Sequence, residues 1–207
     1  MIFLLNESGT FIKGLYILHE GKALIIMTKI NIENIVASTQ ISNELDVKQL
    51  SEKIIDFKYN PDEFSGATMK LGYPKTAILV FPNGKIICTG AKNMEEINKS
   101  IEKTIEKIKS IGLTLKKKIN IEIQNIVAST NLNKEMHLSS ISKALMMQNV
   151  NYQPDKFPGL IYKIEETGAI LLLFDSGMLV CTGTKNEDDA TNAINVMKEK
   201  LSSIGVL

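Results

Sequence analysis

Two asparagines lie in identical surroundings 91 residues apart: Asn34-Ile35-Val36-Ala37-Ser38-Thr39 recurs as Asn125-Ile126-Val127-Ala128-Ser129-Thr130. A carboxamide carries both a donor and an acceptor, and set among valines and isoleucines it suits the reading of a base edge better than the moving of protons. Residues able to do acid–base or nucleophilic work are present but unassembled. The only histidines, His19 and His137, occupy non-equivalent places, and neither lies near a glycine-flanked nucleophile or paired acids in a recognisable motif. Cys88 and Cys181 sit in apolar runs at equivalent places and read as free thiols buried in strands. No set of Cys, His and acidic residues has metal-ligand spacing, so no metal and no cofactor is implied, and an enzyme is not the expected reading.

The bulk numbers bound the rest. With 207 residues, 44% hydrophobic and 23% charged, the chain is long enough to bury a proper core and has the composition of a soluble globular protein. No apolar run approaches the roughly 18 residues of a membrane span, so no membrane partner is expected. Met1 to Leu5 has no basic residue before it and its apolar run breaks at Asn6, so a cleaved signal peptide is not expected and the protein is placed inside the cell. The sequence contains no arginine, all 24 basic residues being lysine, and the formal net charge is +1. Bulk charge therefore gives no support to nucleic-acid binding. It does not oppose it either, since a protein that fills a groove with apolar surface needs few phosphate contacts.

The repeat extends well beyond the asparagines. At an offset of 93, Tyr59-Asn60-Pro61-Asp62-Glu63-Phe64 matches Tyr152-Gln153-Pro154-Asp155-Lys156-Phe157, Phe81 matches Phe174, and Cys88-Thr89-Gly90 matches Cys181-Thr182-Gly183. Two copies at a period near 90 make a duplicated half-domain and not a solenoid. The expected division is a first repeat over 29–112, a second over 113–207 that begins with a basic link, Lys116-Lys117-Lys118, and residues 1–28 as an extension of unknown role. Each copy reads as strand, helix, four strands, helix. In the first copy Ile30 to Thr39 is a strand and Asp46 to Asp56 a helix. Strands follow near Thr68 to Leu71, Thr76 to Phe81 and Lys85 to Gly90, with a tight hairpin at Pro82-Asn83-Gly84. Met94 to Ile111 repeats Ile97, Ile101, Ile105 and Ile108 between Lys and Glu, an amphipathic helix that stops at Gly112.

Strand alternation then poses a problem of burial. Ile78 and Val80 share one face with Leu79 and Phe81 on the other, and Ile87 and Thr89 oppose Ile86 and Cys88. Both faces are apolar, yet two helices per copy can cover only one. The other face packs on a partner subunit, on residues 1–28, or on a ligand. Its mixture of Leu, Val and Phe with Asn and Thr is poor as a core and good as a reader of base edges.

Taken in order, Asn-Ile-Val, Tyr-x-Pro-x-x-Phe, a strand ending in Phe and Cys-Thr-Gly-x-Lys-Asn in duplicate, with Gly84-Lys85 in the first copy and Phe157-Pro158-Gly159-Leu160-Ile161-Tyr162 in the second, resemble the TATA-binding protein family, and the archaeal branch of it. The resemblance implies an α+β saddle: one curved antiparallel sheet made by two pseudo-symmetric repeats, concave towards DNA, with the helices on the convex face. It also implies a general transcription initiation factor that binds the TATA element of promoter double-stranded DNA in the minor groove, kinks and bends it, and nucleates assembly with transcription factor B and, indirectly, RNA polymerase. In the family two phenylalanine pairs wedge into base steps. They map onto Phe64 with Phe81 and Phe157 with Phe174. Asn34 and Asn125 map onto the central asparagines, flanked by Val36, Val127, Thr89 and Thr182, while Leu79, Leu172, Ile87 and Val180 complete the surface. Lys70, Lys85 and Lys163 match phosphate-contact positions, and Gln153, Asp155 and Lys156 lie in the loop that docks transcription factor B. Departures stand at Asp62-Glu63, where many members carry a basic pair, and at Met178, where Lys85 predicts a lysine. Ser65 takes the place of Pro158. A related scaffold that grips protein through the same face, with weak or no DNA binding, is the alternative reading.

Overall fold

A computed structural model describes residues 29–145 and 149–207 and, of the first 28 residues, the backbone of four short strands. Those strands pair as two ribbons, β1 (Leu4–Leu5) with β2 (Phe11–Ile12) and β3 (Leu15–His19) with β4 (Lys22–Ile26). The extension expected over residues 1–28 otherwise lies outside the described residues.

From residue 29 onward every strand joins one ten-stranded antiparallel sheet. The first half comprises β5 (Asn31–Gln40), α1 (Val47–Lys53), β6 (Phe57–Lys58), β7 (Ala67–Lys70), β8 (Ala77–Val80), β9 (Lys85–Ala91) and α2 (Met94–Ser110). The second repeats it with β10 (Ile121–Asn131), α3 (Leu138–Leu145), β11 (Val150–Asn151), β12 (Leu160–Lys163), β13 (Ile170–Leu173), β14 (Met178–Thr184) and α4 (Glu187–Ser203). Strand order is β11-β12-β13-β14-β10-β5-β9-β8-β7-β6, so the duplicated hexapeptides meet at the centre. There Ile35 faces Ile126, with Asn34 opposite Val127 on one side and Val36 opposite Asn125 on the other. That reciprocal register is the signature of two like halves related by a twofold.

Burial alternates as a sheet with one covered face requires. Met69, Ile78, Val80, Ile86 and Cys88 are buried in the first half, and Leu160, Leu171, Leu173, Leu179 and Cys181 in the second, while Leu79, Ile87, Leu172 and Val180 stay partly exposed. Helices α2 and α4 pack on the buried face over β9 and over β13, β14 and β10. In α2 the buried stripe is Ile97, Ser100, Ile101, Thr104 and Ile108, the 3–4 spacing of one helical face. Fully burying each isoleucine contributes about 1.5–3 kcal/mol. Both long helices are capped alike: Asn93 Oδ1 accepts from Glu96 N at 2.8 Å and Asn186 Oδ1 from Asp189 N at 2.7 Å. Acids in the first turn and lysines in the last complement the helix dipole in each.

The structure refines two expectations. The first helix is shorter than Asp46 to Asp56, because Asp46 is its N-cap and Ile54 turns extended, donating its N–H to Leu50 O and burying its side chain. The strand missing between this helix and Thr68 is β6. Cys88 and Cys181 are free and fully buried, and burial pushes both thiols up to about 11. No described helix is long and apolar enough to cross a membrane.

Candidate nucleic-acid interface

The face left open by the helices is organised in cross-strand rows. Thr68, Leu79, Ile87 and Ser38 align from β7 to β5, and Ile161, Leu172, Val180 and Ser129 align from β12 to β10. A second row in each half runs Lys70, Ala77, Thr89 and Lys163, Ile170, Thr182, placing a lysine at its outer end and a threonine beside the central asparagine. Val36 and Val127 lie between the asparagine of their own strand and the serine two residues on.

The amides of Asn34 and Asn125 are held in one orientation. Gly90 N donates to Asn34 Oδ1 at 2.6 Å, and Gly183 N donates to Asn125 Oδ1 at 2.7 Å. A backbone N–H can only donate, so the atom facing it must be the carbonyl oxygen and Nδ2 must be the amide nitrogen. Nδ2 donates to Thr89 Oγ1 at 3.1 Å and to Thr182 Oγ1 at 3.0 Å. That uses one hydrogen of each NH₂ and leaves the second without a hydrogen bond among the described residues. Each half thus presents one amide donor, matched in chemistry to an edge that offers only acceptors, as an A·T pair does in the minor groove.

Aromatic pairs stand at the outer ends of the face. Phe64 and Phe81 have ring centroids 5.4 Å apart at 71°, and Phe157 and Phe174 5.8 Å apart at 63°, both edge to face and all four rings partly exposed. Phe81 and Phe174 directly follow β8 and β13, where their N–H groups donate to Lys85 O and Met178 O and close the hairpins. Phe64 and Phe157 come from turns closed by donation to Asn60 O and Gln153 O, both at 3.0 Å. Each of these two rings rests against a glycine. A Cβ on Gly66 would lie 2.8 Å from the Phe64 ring, and one on Gly159 2.7 Å from the Phe157 ring, so any side chain there displaces the ring.

Of the charged positions, Lys70 and Lys163 are exposed and Lys85 partly exposed, while Asp62 and Glu63 are exposed beside Phe64. Gln153, Asp155 and Lys156 sit together in the exposed turn before Phe157. Strict alternation missed Glu33 and Gln124. The β5–β10 register shifts at both, which turns them onto the open face beside the asparagines. Ser129 Oγ donates to Glu33 Oε1 at 2.7 Å, and Gln124 Nε2 donates to Ser38 Oγ at 3.1 Å. The hydrogen bond from Ser129, then that from Lys92, holds the Glu33 carboxyl below its usual range. The offset of 91 holds through Glu33 and Gln124 themselves, so no break in the repeat marked either position in the sequence. Among the described residues no group of three or more His, Cys, Asp or Glu is placed to hold a metal ion.

The arrangement has close relatives. The family model "Transcription factor TFIID (or TATA-binding protein, TBP)" matches residues 29–111 and 120–204. A TATA-box-binding protein of Picrophilus torridus is 41% identical over 181 residues, 87% of this chain and 98% of the relative. One of Archaeoglobus fulgidus is 37% identical over 179 residues, 86% of this chain and 98% of the relative. The solved structure of Methanococcus jannaschii TBP superposes with a TM-score of 0.77 at 36% identity, over 84% of this chain and 99% of that one. With the family's saddle of one antiparallel sheet backed by helices, and with the paired motifs of both halves in place, this chain belongs to the TATA-binding protein family of transcription factors and is of archaeal type.

Proposed function

We propose that this protein binds the TATA element of promoter DNA through its open sheet face, enters the minor groove, and kinks and bends the duplex. The observation that carries the reading is the pair of amides locked by Gly90 and Gly183 at the centre of the open face, each with one Nδ2 hydrogen left over from its bond to threonine. Adenine N3 and thymine O2 accept from them in either orientation of an A·T pair, while Val36, Val127, Thr89 and Thr182 press where the guanine amino group would project. Phe64 with Phe81 and Phe157 with Phe174 serve as the wedges at the two ends, which is the family's known mode. Unstacking costs a few kcal/mol per step, so flexible pyrimidine–purine steps such as TA are the favoured places. Leu79, Leu172, Ile87 and Val180 fill the groove between, and Lys70, Lys85 and Lys163 meet phosphates. Residues 29–112 and 113–207 act as the two repeats, with residues 1–28 an addition to them. The bent complex nucleates initiation by docking transcription factor B on the turn of Gln153, Asp155 and Lys156, and RNA polymerase through it.

Binding and end-to-end distance of a dye-labelled duplex, measured with a TATA element and with its G·C-substituted counterpart, test this together. Tight binding with a shortened end-to-end distance on TATA only is expected. Equal weak binding to both, with no change in distance, overturns the reading in favour of a protein-gripping scaffold, which the acids Asp62 and Glu63 at one end of the face would suit.

A further inference from the structure

The two rims that flank the central strands carry different charge. On one rim Lys85 lies in register with Gln40, and the link between the repeats returns over the same strands. Lys116 N donates to Ile41 O at 2.8 Å, and Thr39 Oγ1 donates to Asn120 O at 2.7 Å, which ties the link to the end of β5. Lys85, Lys116 and Lys118 thereby line one shallow groove together with Ser38, Gln40 and Gln124. Glu122 also lines it, and accepts from Asn120 Nδ2 at 3.2 Å. One carboxylate stands against three ammonium groups, and none of the three lysines has a carboxylate within ion-pair distance among the described residues. On the opposite rim the equivalent of Lys85 is Met178, in register with Asn131, and the equivalent of Gln124 is Glu33, whose carboxylate takes Lys92 at 3.4 Å.

From this difference we infer that Lys116 and Lys118 join Lys85 in a seat for a backbone phosphate of the bound duplex, on this rim only, so that the link between the repeats anchors one DNA strand. The inference rests on the DNA reading above. A duplex centred on Asn34 and Asn125 must carry a backbone past each rim, and phosphates follow one another so closely along it that a basic cluster at the rim meets one. The reciprocal rim has a thioether in place of Lys85, a paired carboxylate in place of Gln124 and a single lysine, Lys29, whose carbonyl takes the Thr130 hydroxyl as Asn120 takes that of Thr39. The two halves of a symmetric-looking site therefore hold their strands unequally, through residues that lie outside the duplicated motifs.

The test is a salt titration of TATA-duplex affinity with the full chain. It compares the parent, Lys116→Gln with Lys118→Gln, and a control of equal charge, Lys53→Gln with Lys109→Gln, on exposed positions of α1 and α2. Each lost phosphate contact reduces the slope of log affinity against log salt by about 0.9, so a fall of about 1 unit is expected for the link variant and none for the control. Replacing phosphates one at a time by neutral methylphosphonate then locates the contact: at one position the link variant and the parent bind alike. If the parent binds the TATA duplex but all three slopes coincide, or the control falls as far as the link variant, the phosphate seat is wrong while the DNA reading stands. If the parent does not prefer the TATA duplex, the DNA reading itself fails, and the seat with it.

Discussion

The two repeats agree where they face outward at the centre and part company behind the sheet and at its rims. Asn34 with Thr89 and Gly90, and Asn125 with Thr182 and Gly183, make the same three hydrogen bonds to within 0.1 Å. Behind β9, by contrast, Thr76 Oγ1 and Ser100 Oγ meet at 2.9 Å, Ser100 Oγ donates to Glu96 O, and Thr104 Oγ1 donates to Ser100 O. The corresponding residues of the second repeat are Ala169, Ala193 and Met197, all buried and apolar. At Thr184 the second repeat buries a hydroxyl that has no hydrogen-bond partner, where the first repeat has Ala91. The difference teaches that a core can be filled either by a satisfied polar network or by aliphatic volume, since both exclude water. A recognition face has no such latitude, because donor direction and ring placement are the function.

Four experiments break or sharpen that comparison. The largest effect is expected from the rings. Phe157→Ala with Phe174→Ala, and separately Phe64→Ala with Phe81→Ala, should each cost about 2–4 kcal/mol of TATA binding and abolish the distance change at one end of the duplex, with the melting temperature nearly unchanged. Unfolding at lower temperature with bending intact would make the rings core residues. Next, Asn34→Ala and Asn125→Ala should each weaken TATA binding by about 1–3 kcal/mol and narrow the preference over G·C-containing sites by a similar amount. Losses that are equal on every sequence would refute base reading, and a loss at only one asparagine would show that the halves are unequal even at the centre.

Behind the sheet the signs should be opposite. Thr184→Val removes an unsatisfied hydroxyl at constant shape and should stabilise the fold by about 1 kcal/mol, whereas Ser100→Ala takes away the nearer partner of the Thr76 hydroxyl, leaving it only the 3.4 Å donation to Pro74 O, and should destabilise it by about 1 kcal/mol. Denaturant unfolding of the two variants checks this, and the same sign for both would dissolve the contrast. Smallest of all, Cys88 and Cys181 should resist a thiol reagent at neutral pH in the folded protein and react only on unfolding. Their neutral form is favoured by burial, so the stability they lend is present below the ordinary thiol range and is lost as pH rises towards about 11. Reaction of one thiol in the native state would mark its repeat as the looser.

Much of this molecule follows from its sequence alone. The duplication, the alternation in β8, β9, β13 and β14, the amphipathic run from Ile97 to Ile108 and the excess of apolar faces over helices are local or repeated patterns. Side-chain period and identity carry them without knowledge of what touches what. The elements, the buried cysteines and the existence of an uncovered face were legible for that reason. What only the tertiary structure decided is long-range. Asn34 takes its orientation from a backbone N–H that lies 56 residues away, and the corresponding separation for Asn125 is 58. Glu33 and Gln124 reach the open face because the register slips where β5 meets β10, and a one-residue slip reverses the side to which a residue points. The lysines of the link become neighbours of Lys85 only when Lys116 N donates to Ile41 O at the end of β5. Each of these depends on which strands pair and in what register. That is settled by the burial of a whole face, and no window of the sequence contains it.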